Sequence, residues 1–156
     1  MPKLCKAFAL SASDWLLIAQ ATIWFAVVEL GLRVLQLRTM LAILQDEKFF
    51  NRESHDQSTV NPERAGYCVE LASRLHPLDP TCLKKALVLY ALLTRRGFDL
   101  QLLIGATKIE GKLDAHAWLE HQGRVIPGGP GRERYSTLCC LDRSMVCAHR
   151  EGQAAL

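Results

Sequence analysis

The chain has 156 residues, 49% of them hydrophobic and 22% charged, with 19 Lys+Arg against 16 Asp+Glu and a formal net charge of +3. That length suits one domain with one real core, and the composition is ordinary for a globular protein. The charge is too small to argue for nucleic acid, and no basic stripe interleaved with aromatics is present, so that class is set aside.

The opening stretch, MPKLCKAFALSASDW, lacks a basic region followed by a long apolar run and a small-residue cleavage site. The six cysteines, at positions 5, 68, 82, 139, 140 and 147, are irregularly spaced. Together these features predict a cytoplasmic protein with free thiols rather than a secreted disulfide framework. The N-terminal third reads as helical, capped by Ser13 or Asp14. Trp15 to Val28 is apolar except for Gln20 and Thr22, and Glu29 and Arg33 then follow. A membrane span needs about 20 apolar residues; this run is shorter, which favours a core helix whose stripe packs on the rest of the domain. Partner docking or membrane-surface contact through the leftover apolar face is the second reading. Gln45 to Val60 is polar and reads as a linker. It separates an N-terminal helical region, 1–60, from a core, 61–156, within one compact unit.

Asn61-Pro62-Glu63 supplies an N-cap, a proline at N1 and an acid in the first turn. The helix it starts carries an apolar stripe of Ala65, Cys68 or Val69, Ala72 and Leu75, and ends at His76-Pro77. Leu78-Asp79-Pro80-Thr81 starts the next. Leu83, Ala86, Leu87, Leu89, Tyr90, Leu92 and Leu93 make this helix broadly buried; Arg95 and Arg96 suit its C-terminal dipole, and Gly97 stops it. The period then changes. Phe98 to Ala106, Ala115 to His121 and Arg124 to Pro127 read as strands, with Gln122-Gly123 as a hairpin turn. The expected fold is α+β, with helices packed on an antiparallel meander. The tail from Cys139 to Leu156 gives no assignment.

Cys82 falls in the first turn of the buried helix. Unpaired N–H groups and the helix dipole favour a thiolate there, and the same amides can donate to an oxyanion. The plainer reading is a small core residue, as most lone cysteines are. A cysteine nucleophile needs a base, and His116 lies in a strand between Ala115 and Ala117, small neighbours that let a helix approach. Its plainer reading is a satisfied, half-buried histidine. Alternation puts Asp114, His116, Trp118 and Glu120 on one face. A base is usually oriented by a third group. With His121 opposite Arg124, His116 lies opposite Gly129, with Gly128 and Pro127 adjacent, and none of these side chains can orient an imidazole. Asp114 and Glu120 share its face but lie about 7 Å away along the strand, and a backbone carbonyl is a further candidate.

Thr81-Cys82-Leu83 followed by ALVLYALLTRRGF, then LLIGA, then Ala115-His116-Ala117-Trp118-Leu119-Glu120 resembles the transglutaminase-like leader peptidases of bacterial lasso-peptide biosynthesis, the B proteins in their stand-alone form. The likeness runs from about Pro80 to Ile126. It implies a transglutaminase-like, papain-like core and a cysteine peptidase that cuts the leader from a ribosomally made precursor. It further implies a small separate leader-recognition protein and a macrolactam synthetase as partners, and no cofactor. The family's cysteine and histidine fall on Cys82 and His116; its aspartate falls on Gly128. A catalytically degenerate module that holds the leader or the synthetase is the main alternative. A zinc site from Cys139, Cys140, Cys147 and His149 lacks the usual paired-ligand spacing. Acyl transfer to an amine in place of water is not distinguished from hydrolysis by the sequence.

Overall fold

The computed structural model describes residues 10–45, 60–77, 80–127 and 134–141. The first helix, α1, spans Ala12–Val34. Its cap is Ser11, not the expected Ser13 or Asp14: the Ser11 hydroxyl accepts from the Asp14 amide at 3.3 Å, and Asp14 Oδ2 accepts from the Ser11 amide at 2.8 Å. A capping box needs the hydroxyl three residues ahead of the acid, and only Ser11 satisfies that spacing. Leu17, Ile18, Ala21, Trp24, Phe25 and Val28 form its buried face. The sequence reading ended the apolar run short of a span, yet the helix has 23 residues and is long and apolar enough to cross a membrane by length and composition. Glu29 does not end it, because its carboxylate pairs with Lys84 of a later helix and with Arg33 one turn on. The opposite face, including Trp15, Leu16, Ile23, Leu30 and Val34, is exposed. A short helix, α2 (Leu37–Gln45), follows and buries Met40, Leu41 and Leu44. Most of the expected linker, residues 46–59, lies outside the described residues.

The helix α3 (Pro62–Leu75) starts where its cap predicts, with Asn61 Oδ1 accepting from the Glu63 amide at 2.8 Å. Ala65, Cys68, Val69 and Ala72 are buried as expected, but Leu75 is 66% exposed. A 3.6-residue period carries the stripe from Ala72 to position 76. There the His76 ring meets Phe25, with centroids 5.4 Å apart. An Arg64 fork grips Asp14 at 2.8 and 2.5 Å, so a carboxylate that is itself buried ties α1 to α3.

The helix α4 (Cys82–Thr94) is the centre of the molecule. Every residue from Ala86 to Leu93 is buried, because α1, α2 and α3 lie against it on one side and the sheet on the other. It ends as predicted, with Arg95 at the C-cap and Gly97 at φ 84°.

The strands are β1 (Gln101–Ile109), β2 (Lys112–His121), β3 (Arg124–Val125) and β4 (Ser136–Leu141). They form one antiparallel sheet in the order β3-β2-β1-β4. The expected α+β fold is present. The first strand lies three residues later than expected and the second starts three residues earlier, because Thr107 to Asp114 forms a hairpin around Glu110-Gly111, with φ of 50° and 80°. Gln122-Gly123, at 50° and 74°, makes the expected second turn. Positive φ at both central residues gives the turn whose twist matches paired strands. The pairing His121 with Arg124 and Glu120 with Val125 is the anticipated register. β4 was not anticipated; it covers the free edge of β1, with a shift in register between Ile104 and Gly105.

Candidate active site

Cys82 is the first residue of α4, preceded by Thr81 at the N-cap. Thr81 makes no side-chain cap hydrogen bond. The first-turn amides therefore point outward with no partner from within the helix, and the helix dipole adds positive potential at the thiol. Cys82 is half-buried. Its Sγ lies 3.9 Å from the carbonyl oxygen of Ala115, the residue immediately before His116. The packing of α4 on β2 thus sets the Cys82 thiol against the backbone that leads into His116.

His116 is 6% exposed. Its ring stacks with two others: Tyr135 at 5.1 Å, with 29° between planes, and Trp118 at 6.2 Å, with 18°. Burial lowers the His116 pKa, and the Asp114 carboxylate opposes that shift. The neutral imidazole is therefore favoured, the form that can accept a thiol proton. The expected common face is present. Trp118 Nε1 donates to Glu120 Oε1 at 3.1 Å, and the Tyr135 hydroxyl donates to Asp114 Oδ2 at 2.9 Å. Glu120 is bound up with Trp118, one ring removed from the histidine. The Tyr135 pKa is raised, first by its bond to Asp114 and then by burial, with the charges of Asp114 and Cys82 adding to it.

Two parts of this site were not found from the sequence. Tyr135 falls between the last expected strand and the unassigned tail, and a lone tyrosine before Ser-Thr-Leu carries no periodic signal. Gly105 is the partner of His116 on β1. A Cβ there would meet the Trp118 ring and the Ser136 carbonyl oxygen at 2.9 Å. A glycine isolated within a strand is the available signal, since it marks a bulge or a close approach. Gly129, expected opposite His116, and the adjacent Gly128 lie outside the described residues, as do Cys147 and His149. Cys139 and Cys140 are adjacent on β4, and alternation turns them to opposite faces. Among the described residues, no group of three or more His, Cys, Asp or Glu has the arrangement to hold a metal ion.

A family model described as "Transglutaminase-like superfamily" matches residues 23–140. The chain belongs to the transglutaminase-like superfamily. This superfamily includes cysteine peptidases and transglutaminases. The match begins within α1 and runs into β4, so it takes in the whole Cys82–His116 region of this transglutaminase-like domain. No curated protein and no solved structure gives a match.

Proposed function

We propose that this transglutaminase-like protein is a cysteine peptidase that removes the leader from a lasso-peptide precursor. Cys82 is its nucleophile and His116 its base. The observation that carries the reading is the placement of Cys82 Sγ at the uncapped start of α4, 3.9 Å from the backbone of the residue next to His116.

In this reading His116 takes the Cys82 thiol proton and the thiolate attacks the peptide carbonyl at the leader–core junction. Amides of the first turn of α4 donate to the oxyanion. Collapse breaks the C–N bond, and His116 returns a proton to the departing amine. A water molecule, deprotonated by His116, then adds to the thioester and releases the carboxylate and the free thiol. The partners in this reading are the precursor, a small leader-recognition protein and the macrolactam synthetase, with the cytoplasm as the compartment. Residues 1–60 serve the partners, and residues 61–156 carry the chemistry.

The test is cleavage of the cognate precursor with the leader-recognition protein present. Cys82→Ala should abolish it, and full activity in that variant would end the proposal. Gly128, at the place of the family's aspartate, favours one second reading: a module that holds the leader without cutting it. In that case wild-type protein and Cys82→Ala would support macrocyclisation equally. Gly128→Asp addresses the missing acid directly. Faster cleavage would mean that its absence limits the rate; an unchanged rate would mean that another group already orients His116.

A further inference from the structure

We propose that Asp114 and Tyr135 form a positioning pair that holds His116 and stabilises its charged form, the role for which Gly128 offers no side chain. The proposal rests on the reading of Cys82 and His116 as nucleophile and base. It draws on geometry from three parts of the fold. Tyr135, just ahead of β4, lays its ring on the imidazole at 5.1 Å. Its hydroxyl reaches back to β2 and donates to Asp114 Oδ2 at 2.9 Å. Asp114 stands on the same face of β2 as His116, two residues earlier. One tyrosine therefore clamps the ring by contact and fixes the carboxylate by a hydrogen bond.

Trp118 also stacks with the imidazole, with centroids 6.2 Å apart. Trp118 is held in turn by Glu120 and by the space that Gly105 leaves. A ring stacked with two others has little freedom to turn. Among the described residues, the ionisable groups acting on or touching it are Asp114 on β2 and Tyr135 ahead of β4, while Cys82 of α4 lies against the carbonyl of the preceding residue. Glu120 lies beyond Trp118, and Arg134 adjoins Tyr135. The β1 partner of His116 is Gly105, which brings no charge. When His116 accepts the thiol proton, Asp114 is the nearest anion on its own face. Its charge favours the imidazolium without a hydrogen bond to the ring.

A purely structural Tyr135–Asp114 bond would tie β4 to β2 and leave the histidine's titration alone. The test therefore reads titration directly, in full-length protein. The His116 ring is followed by NMR across pH, and carbamidomethylation of Cys82 by iodoacetamide is followed by mass spectrometry over the same range. Asp114→Asn should move the His116 midpoint to lower pH and shift the histidine-linked limb of Cys82 alkylation with it. Tyr135→Phe keeps the ring but frees Asp114, and should move both in the same direction by less. Asp114→Glu should restore part of the shift. Cleavage should lose on the order of tenfold in kcat in Asp114→Asn, with KM unchanged. A His116 midpoint and alkylation profile unchanged in both Asp114→Asn and Tyr135→Phe overturns the proposal, whatever happens to activity. If Asp114→Asn does not fold, Tyr135→Phe alone decides. Wild-type protein that cuts no precursor, yet shows the titration shifts, would refute the leader-peptidase reading and leave the positioning pair standing.

Discussion

Gly105→Ala tests whether the sheet holds Trp118 against His116 as described. The added Cβ would come within 2.9 Å of two carbons of the Trp118 ring and of the Ser136 carbonyl oxygen. Neither neighbour gives way easily: one is a rigid ring that is 6% exposed and tied to Glu120, and the other is backbone of the paired strand β4. Overpacking of this kind costs about 1–3 kcal/mol. Gly105 does not have a positive φ, so alanine suits its backbone and restricts the unfolded chain, which returns about 0.4–1 kcal/mol. The balance is a loss of up to about 2.6 kcal/mol, or a fall of up to about 5–10 °C in Tm for a domain of this size. Thermal unfolding followed by circular dichroism measures the loss. Precursor cleavage should fall by more than stability explains, because the ring that shifts is the one stacked on His116. A variant as stable and as active as wild type would show that Trp118 is not held over Gly105, and the account of His116 positioning would lose one of its two stacking partners.

Three further outcomes are expected. Leu87→Ala, at a fully buried position of α4, should cost about 2–5 kcal/mol in urea unfolding, and a value below 1 kcal/mol would contradict the central place of that helix. Asp14 is held well below the usual carboxylate range, chiefly by its hydrogen bonds to Arg64, with burial opposing. Because the folded pKa is depressed, its contribution is complete above the unfolded value and is lost as pH falls below about 3.9; Asp14→Asn should flatten that part of a stability-against-pH curve, and an unchanged slope would refute the assignment. Thr81→Asp should cap α4 and raise stability by about 0.5–1 kcal/mol while slowing alkylation of Cys82, since a carboxylate at the N-cap offsets the positive end of the helix; unchanged alkylation would argue that the helix start does not activate the thiol.

How far the sequence revealed this site depended on the range of the signal. Local signals read well. Asn61-Pro62 and Gly97 bounded helices, Gln122-Gly123 set a hairpin and its register, and helix-start placement set Cys82 apart from the other cysteines. Two departures are also local: Ser11 takes the cap rather than Ser13 because Asp14 sits three residues after it, and Glu110-Gly111 turns between flanks, Lys108-Ile109 and Lys112-Leu113, that mix polar and apolar residues with no clear strand signal. The remainder was not local. Tyr135 reaches His116 only because β4 returns to the far edge of β1, and nothing in a six-residue strand with one buried position announces that pairing. Asp114 was correctly placed on the histidine's face, but its fixed position depends on Tyr135, so its orientation could not be read from β2 alone.

The two halves of the proposed chemistry are held by different means. Cys82 takes its position from α4, which is packed between the other helices and the sheet and is buried along most of its length. Shifting the thiol therefore means repacking the core. His116 belongs to β2, whose backbone is fixed by its ladder to β1, but a side chain standing off a sheet is not fixed by that ladder. Its ring is set by neighbours on the same face and by the segment leading into β4. Substitutions in the helical layer should therefore lower stability and activity together. Substitutions at Asp114, Trp118 and Tyr135 should separate the two, costing cleavage out of proportion to stability. That separation is what a site divided between a rigid helix start and a clamped ring requires.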